Sequence, residues 1–314
     1  MLKLSGISKI YHVGTFGGKE LRAVNNVSFD VQDGEVVSLI GESGSGKSTI
    51  GKMILRLIST TSGTISFNGT DISTFSGSAL KEYYRNVQGV FQDPFSSYNP
   101  VFKADRVFKV IKDEFFPQLG HQQWEERLHH ALKDVGLNPA HVLNKFPHQL
   151  SGGQLQRFLI ARALLLDTKF LVADEIISML DASTRIDVLN LLADLKSRGL
   201  SVLFITHDLS LGYYISERAV ILYRGRVVEM GETEKIFNHP LHPYTQMLMA
   251  AVPQIDKKWE DVAVGVKTIQ PVVSEGCVYH DRCPLGDRAC LAAQPELVQM
   301  DGDHAVACIH AKEA

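Results

Sequence analysis

Residues 36–49 read VVSLIGESGSGKST, and the fold follows from what flanks the glycines. Val36 to Ile40 is an apolar run of strand length, Ile50 to Ile58 is patterned as a helix, and Gly41 to Thr49 joins them with the spacing GxxxxGKS. A strand that enters a glycine-rich turn and leaves as a helix makes a cradle for phosphate. Glycines let the backbone turn its N–H groups inward, and the helix start adds partial positive charge. Gly41, Ser43, Gly44, Ser45 and Gly46 form the cradle in this reading. Lys47 reaches the outer phosphates, Ser48 offers its hydroxyl to magnesium, and Thr49 supports the loop. The bland alternative is a flexible Gly/Ser loop.

A magnesium nucleotide needs a second acidic element on a buried strand. Residues 170–175, FLVADE, have that form: an apolar run, then two carboxylates at the strand edge where open α/β sheets bind ligands. Asp174 is expected to hold magnesium through its water shell, and Glu175 to orient or deprotonate an attacking water. A third run, Val202 to Ile205, and the helical patterns between the runs imply an α/β fold with a largely parallel central sheet. From Phe95 to about Phe146 helix-like segments such as Trp124 to Val135 replace the strands, which reads as a helical insertion.

Composition narrows the classes. With 32 Lys+Arg against 35 Asp+Glu and no block of like charge, nothing predicts a nucleic-acid partner. Hydrophobic residues at 45% exclude disorder, and no stretch approaches the roughly 18 apolar residues of a membrane span. A cytoplasmic protein is expected, with any membrane role supplied by a partner. All four cysteines, Cys277, Cys283, Cys290 and Cys308, fall near the C-terminus, where periodicity weakens. Such clustering asks for a local cause, and a reducing cytosol argues against disulfides.

The string that narrows the class is LSGGQLQR at 150–157. Ser151, Gly152, Gly153 and Gln154 open a helix, and a helix start is a second anion site in a chain that already has one. The economical explanation is that it completes the nucleotide site of another subunit. Here the sequence resembles the nucleotide-binding subunit of ATP-binding cassette (ABC) transporters, whose signature is LSGGQ. The resemblance implies an ABC-type phosphate-loop ATPase core with an antiparallel β subdomain, over about residues 1–252. It also implies a helical subdomain over about 93–160 and a Cys-rich extension over 253–314. By the same resemblance Tyr11 stacks on adenine, and Gln92 in VFQDPFSSYNP links magnesium and water to the membrane partner. Asp181 closes SMLD, the loop at the dimer interface, and His207 senses the γ-phosphate. Ile176 departs from the proline usual after the catalytic carboxylate.

HPLHPYTQMLMAAVP at 239–253 and the cysteine tail resemble the dipeptide and oligopeptide branch of importers. The implied function is ATP hydrolysis that energises uptake of short peptides at the cytoplasmic face of the cell membrane. Oligosaccharide uptake is the rival, and a soluble ATP-dependent iron–sulfur regulator is a third reading. The implied partners are a second ATPase subunit, usually a paralogue, two membrane-spanning permease subunits and an extracytoplasmic solute-binding protein. The spacing Cx5Cx6Cx17C lacks the close pairs of structural zinc sites and suits a [4Fe–4S] cluster, which members of this branch carry. Zinc and unligated thiols remain open, with His280, His304 and His310 as possible substitute ligands.

Overall fold

A computed structural model of the protein describes residues 1–13, 18–251 and 276–311. The expected boundary at 252/253 lies outside the described residues. Two compact units form, Met1–Thr74 together with Phe204–Ala314, and Phe75–Leu203.

In the first unit the chain lays down β1 (Leu2–Val13), β2 (Lys19–Val31), β3 (Val36–Ile40), α1 (Lys47–Ile54), β4 (Ser62–Phe67) and β5 (Thr70–Asp71). Four of these strands make an antiparallel sheet in the order β2-β1-β4-β5, with Leu2 opposite both Val31 and Phe67. Every residue of β3 is buried, Ser38 among its four apolar residues included. Helix α1 stops at Ile54, short of Ile58, because Arg56 turns to φ 52. Leu57 N–H then returns to the Lys52 carbonyl at 2.9 Å and Arg56 N–H to Met53 at 3.0 Å, a Schellman closure with arginine where glycine is common.

The second unit holds α2 (Gly77–Asn86), β6 (Val87–Val90), α3 (Arg106–Phe115), α4 (His121–Asp134), α5 (Pro139–Val142), α6 (Gly152–Leu165), β7 (Phe170–Asp174) and α7 (Ala182–Ser197). β6 and β7 pair in parallel, Val87 opposite Phe170. The helices between them pack through aromatic contacts, Phe108 on Phe158 at 5.0 Å and Phe116 on Trp124 at 5.9 Å.

β8 (Ser201–Thr206) returns the chain to the first unit, followed by α8 (Leu209–Ile215), β9 (Arg218–Tyr223), β10 (Arg226–Glu232), α9 (Thr233–Asn238), α10 (Pro243–Ala250), β11 (Val298–Asp301) and β12 (His304–Val306). β9 runs parallel to β3, whereas β10, β12 and β11 add antiparallel strands outward. The sequence suggested a more uniformly parallel sheet. Arg224 and Gly225, at φ 43 and 79, form the two-residue link between β9 and β10, and a link that short joins only antiparallel neighbours. Among the described residues no helix is long and apolar enough to cross a membrane.

A buried carboxylate ties the tail to this sheet. Glu229, fully buried on β10, accepts the N–H of Leu241 at 2.8 Å, the N–H of His242 at 2.9 Å and lies 2.7 Å from His304 Nε2 on β12. His242 caps α10 by accepting the Tyr244 N–H at its Nδ1, 3.0 Å away, and burial pushes its pKa down to about 4, with Glu229 opposing. A base whose folded pKa lies below its ordinary value contributes nothing unfavourable near neutrality. It weakens the fold progressively as pH drops from about 6.5 towards 4. His242→Asn, which keeps an acceptor at the cap, is expected to lose on the order of 2 kcal/mol less stability than the parent between pH 7 and pH 4.5. Urea midpoints at the two pH values measure the difference.

Candidate functional site

The phosphate loop begins where β3 ends. Gly41 has no room for a side chain, since a Cβ there would meet the Leu222 carbonyl at 2.2 Å. Gly44 and Gly46 adopt φ 79 and 106, the left-handed region that inverts the chain. Gly46 is the N-cap of α1 and makes no side-chain cap bond, so backbone N–H groups at this helix start are not consumed by a cap. Ser45 is buried and its carbonyl accepts Gly225 N–H at 2.8 Å, while Ser43 and Ser48 are exposed and Thr49 is half-buried. Lys47, only 4% exposed, donates to the carbonyls of Gly41 at 2.8 Å and Glu42 at 2.9 Å. The same unit carries Tyr11, half-buried on β1 beneath the Lys9 ammonium, and His207, exposed directly after β8.

The second unit carries the rest. Asp174 is buried at the last position of β7. Glu175 follows at φ 49, a conformation that costs a non-glycine residue about 1–3 kcal/mol. Ser178 holds it there, donating to the Glu175 carbonyl from both its N–H, at 3.1 Å, and its hydroxyl, at 2.9 Å. Ile176, where the resemblance has proline, is buried. Gln92 is exposed in the turn after β6.

The signature serine is an N-cap. Ser151 Oγ accepts Gln154 N–H at 3.2 Å, and Gln154 Oε1 accepts Ser151 N–H at 2.9 Å, a reciprocal capping box. Gly152 and Gly153 form the first turn of α6, and a Cβ on Gly153 would come within 2.9 Å of Thr184 Cγ2, so that glycine also serves packing against α7. Asp181 caps α7. Its carboxylate accepts Thr184 N–H at 2.9 Å and the hydroxyls of Ser183 and Thr184 at 2.7 and 3.0 Å, which pulls its pKa down to about 2, the backbone bond weighing most.

The four thiols come together in the first unit. Cys283 feels the charge of Cys277, Cys308 and Cys290, Cys277 that of Cys290 and Cys308, and Cys290 that of Cys308. Cys277 N–H donates to the Cys290 carbonyl at 2.8 Å, and none of the four is in a disulfide. Burial is the main cause that pushes the thiols of Cys277, Cys283 and Cys290 up. Backbone N–H groups of Tyr279 and His280 point at Cys277, Leu285 at Cys283 and Asp287 at Cys290. Convergent, half-enclosed sulfurs that receive N–H bonds suit thiolate ligands of a metal or cluster, whose positive charge removes the protons. Ligand atoms of Asp287, Cys290 and His310 also lie within 4.8 Å of one another. Asp287, three residues before Cys290, accepts the Cys290 N–H at 3.1 Å, and the fold brings His310 to join them.

Residues 24–178 match the ABC transporter family, and residues 228–290 match the oligopeptide/dipeptide transporter C-terminal region. A peptide import ATP-binding protein of Brucella ovis is 40% identical across 98% of this chain and 97% of its own length. The oligopeptide transport ATP-binding protein AppF of Bacillus subtilis is 38% identical across 98% of this chain and 96% of its own. OppF of Salmonella typhimurium, named likewise, is 37% identical across 93% and 88%. Among solved structures, a dimeric ATP-binding cassette in a post-hydrolysis state with ADP and Pi superposes with a TM-score of 0.67 at 30% identity, covering 74% of this chain and 99% of that one.

The two left-handed glycines of the loop separate strain from crowding. Gly44 faces open space, whereas a Cβ on Gly46 would meet the Ala23 carbonyl at 2.3 Å. Gly44→Ala is expected to cost about 1 kcal/mol and Gly46→Ala at least about 2 kcal/mol more, read as denaturant midpoints of the two variants.

Proposed function

The chain belongs to the ATP-binding proteins of the ABC transporter family, and on that premise we propose that it is the ATP-hydrolysing subunit of an importer of short peptides. The observation that carries the reading is one chain that pairs a phosphate loop with a match to the oligopeptide/dipeptide transporter C-terminal region over residues 228–290. Peptide is preferred to oligosaccharide because the relatives' names speak of peptide.

The roles follow from the chemistry of each group. Backbone N–H groups of residues 41–49 and the Lys47 ammonium take the phosphates, Ser48, Gln92 and Asp174 serve magnesium, and Tyr11 stacks on the base. Glu175 polarises the attacking water, and His207 reads the γ-phosphate. Ser151, Gly152, Gly153 and Gln154 act on the nucleotide of a second cassette, with Asp181 in the loop between mates. Ser151 supports this: its hydroxyl oxygen accepts the cap bond, which leaves the O–H proton to donate to an incoming phosphate. Two cassettes facing head to tail thereby close over ATP and reopen on hydrolysis, a rigid-body change coupled to ligand contacts. The assembly works at the cytoplasmic face of the membrane with two permease subunits and an extracytoplasmic solute-binding protein, and the second cassette is a paralogue.

Cys277, Cys283, Cys290 and Cys308 hold a [4Fe–4S] cluster in this proposal, supported by the electrostatic influence that links the thiols and the backbone N–H groups aimed at three of them. Such a group would cross-link a tail of weak hydrophobic content and add a one-electron redox couple. Zinc is the second reading, favoured by the close trio Asp287, Cys290 and His310.

Three measurements test these assignments. Glu175→Gln should stop turnover and accumulate an ATP-bound dimer, seen by size exclusion with Mg-ATP. Ser151→Arg should abolish hydrolysis while nucleotide capture by the same chain persists; simultaneous loss of both contradicts the shared site. Anaerobically purified protein should be brown and contain iron and sulfide, and zinc without iron overturns the cluster.

A further inference from the structure

Glu42 stands at a position that the phosphate-loop spacing leaves open, yet the structure grips it by every group it has. Its carbonyl receives the Lys47 ammonium at 2.9 Å. Its N–H donates to the hydroxyl of Tyr244 at 3.0 Å, and Tyr244 is fully buried. Its carboxylate takes both oxygens' worth of bonds from Arg282 Nη1, at 3.0 and 2.9 Å. Arg282 immediately precedes Cys283 in the thiol loop, and its guanidinium lies over the rings of Tyr223 and Tyr279, 5.9 Å from each centroid.

A second connection runs alongside. Asp281, with its side chain 8% exposed, receives Arg224 through two nitrogens at 3.1 and 2.9 Å. Arg224 also donates to the Val278 carbonyl at 3.1 Å. The residue after Arg224 is Gly225, whose N–H donates to the Ser45 carbonyl inside the phosphate loop at 2.8 Å. Consecutive residues of the thiol loop thus reach the phosphate loop at two points, Asp281 by way of Arg224 and Gly225, Arg282 directly. Between the connections Tyr223, Tyr244 and Tyr279 pack with centroids 4.5 to 5.4 Å apart, in one cluster with Ile40 of β3 and Cys283.

The geometry points to Arg282 and Asp281 as positioning residues of the nucleotide site: the thiol loop is a brace that sets the shape of the phosphate loop, and through it the affinity for Mg-ATP. A brace of this kind suits its place in the chain. The phosphate loop must hold the Gly41 and Glu42 carbonyls on Lys47 and keep its N–H groups turned in towards phosphate, and its glycines supply freedom but no rigidity. Rigidity comes from outside the loop. An arginine whose Nη1 bridges both oxygens of one carboxylate, and whose planar guanidinium is held near two aromatic rings, loses little entropy on binding it, whereas a lysine there would be a mobile point charge. The brace rests on the proposed ATP-binding role of residues 41–49 and adds to it a cause of preorganisation.

The test is a titration of the full-length chain with a fluorescent ATP analogue and Mg2+, comparing the parent with Arg282→Gln, Arg282→Lys, Glu42→Gln and the double variant Glu42→Gln/Arg282→Gln. Arg282→Gln is expected to weaken binding about fivefold, a modest loss because the pair is part-exposed. Arg282→Lys should recover part of it. In the Glu42→Gln background, Arg282→Gln should change nothing further, since the effect travels through that carboxylate. The inference is overturned if Arg282→Gln binds like the parent, or if it weakens binding equally with and without the Glu42 carboxylate, which marks a general loss of structure. Should Arg282→Gln fail to fold, Glu42→Gln alone decides, because it cuts the same bond from the loop side and leaves the Cys loop sequence intact: weaker binding supports the brace and unchanged binding removes it. A parent chain that fails to bind the analogue contradicts the ATPase reading itself, whereas a binding parent with indifferent variants contradicts only the brace.

Discussion

An ammonium group held almost out of water sets the conditions for the rest of the molecule. Lys47 is 4% exposed, and a buried charge without partners costs several kcal/mol, enough to consume much of a domain's stability. What makes its position tolerable is the pair of carbonyls from Gly41 and Glu42. Those carbonyls can face inward only because the chain reverses at two left-handed glycines and passes the Leu222 carbonyl at a residue with no Cβ. The fully buried strand β3, the Gly225 N–H on Ser45 and the contacts around Glu42 all hold this one turn in shape.

Three helix starts in the chain solve the same problem of orphan N–H groups in different ways. At α6 a serine and a glutamine cap each other, and at α7 the Asp181 carboxylate does the work with the help of two hydroxyls. At α1 the N-cap is a glycine with no side chain to spend. A helix start whose cap is a glycine leaves room for an external anion, which the capped starts of α6 and α7 fill with their own side chains. Ser151 occupies an intermediate case: it is satisfied as an acceptor and still has a proton to donate.

The tail is held by the two devices most expensive to leave incomplete, a buried carboxylate and a set of converging thiols. Glu229 collects bonds from the segment before α10 and from β12. Burial pushes the thiols of Cys277, Cys283 and Cys290 away from ionisation. Between these two anchors the tyrosine cluster and the Arg282–Glu42 pair connect the tail to the loop at the other end of the first unit's sequence.

Local chemistry was legible in the amino-acid string wherever a short run of neighbours does the job by itself. GESGSGKST is its own cradle, SGGQ is its own capping box, and the runs at 36–40 and 170–173 are buried strands because nearly every side chain in them is apolar. Arg56 and Glu175 were not legible as left-handed residues, since neither is a type that favours that region and only the hydrogen bonds around them keep them there. Nor did spacing reveal that His310 sits by Asp287 and Cys290, that Asp181 spends its carboxylate on a cap, or that residues 281–282 reach 42–45. By itself the sequence determined the phosphate loop and the signature turn, because those are properties of neighbours, and it showed that all four cysteines fall between 277 and 308. Only the tertiary structure decided what Glu42 is for, because a carboxylate and a guanidinium 240 positions apart have no relation until the chain folds them to within 3.0 Å.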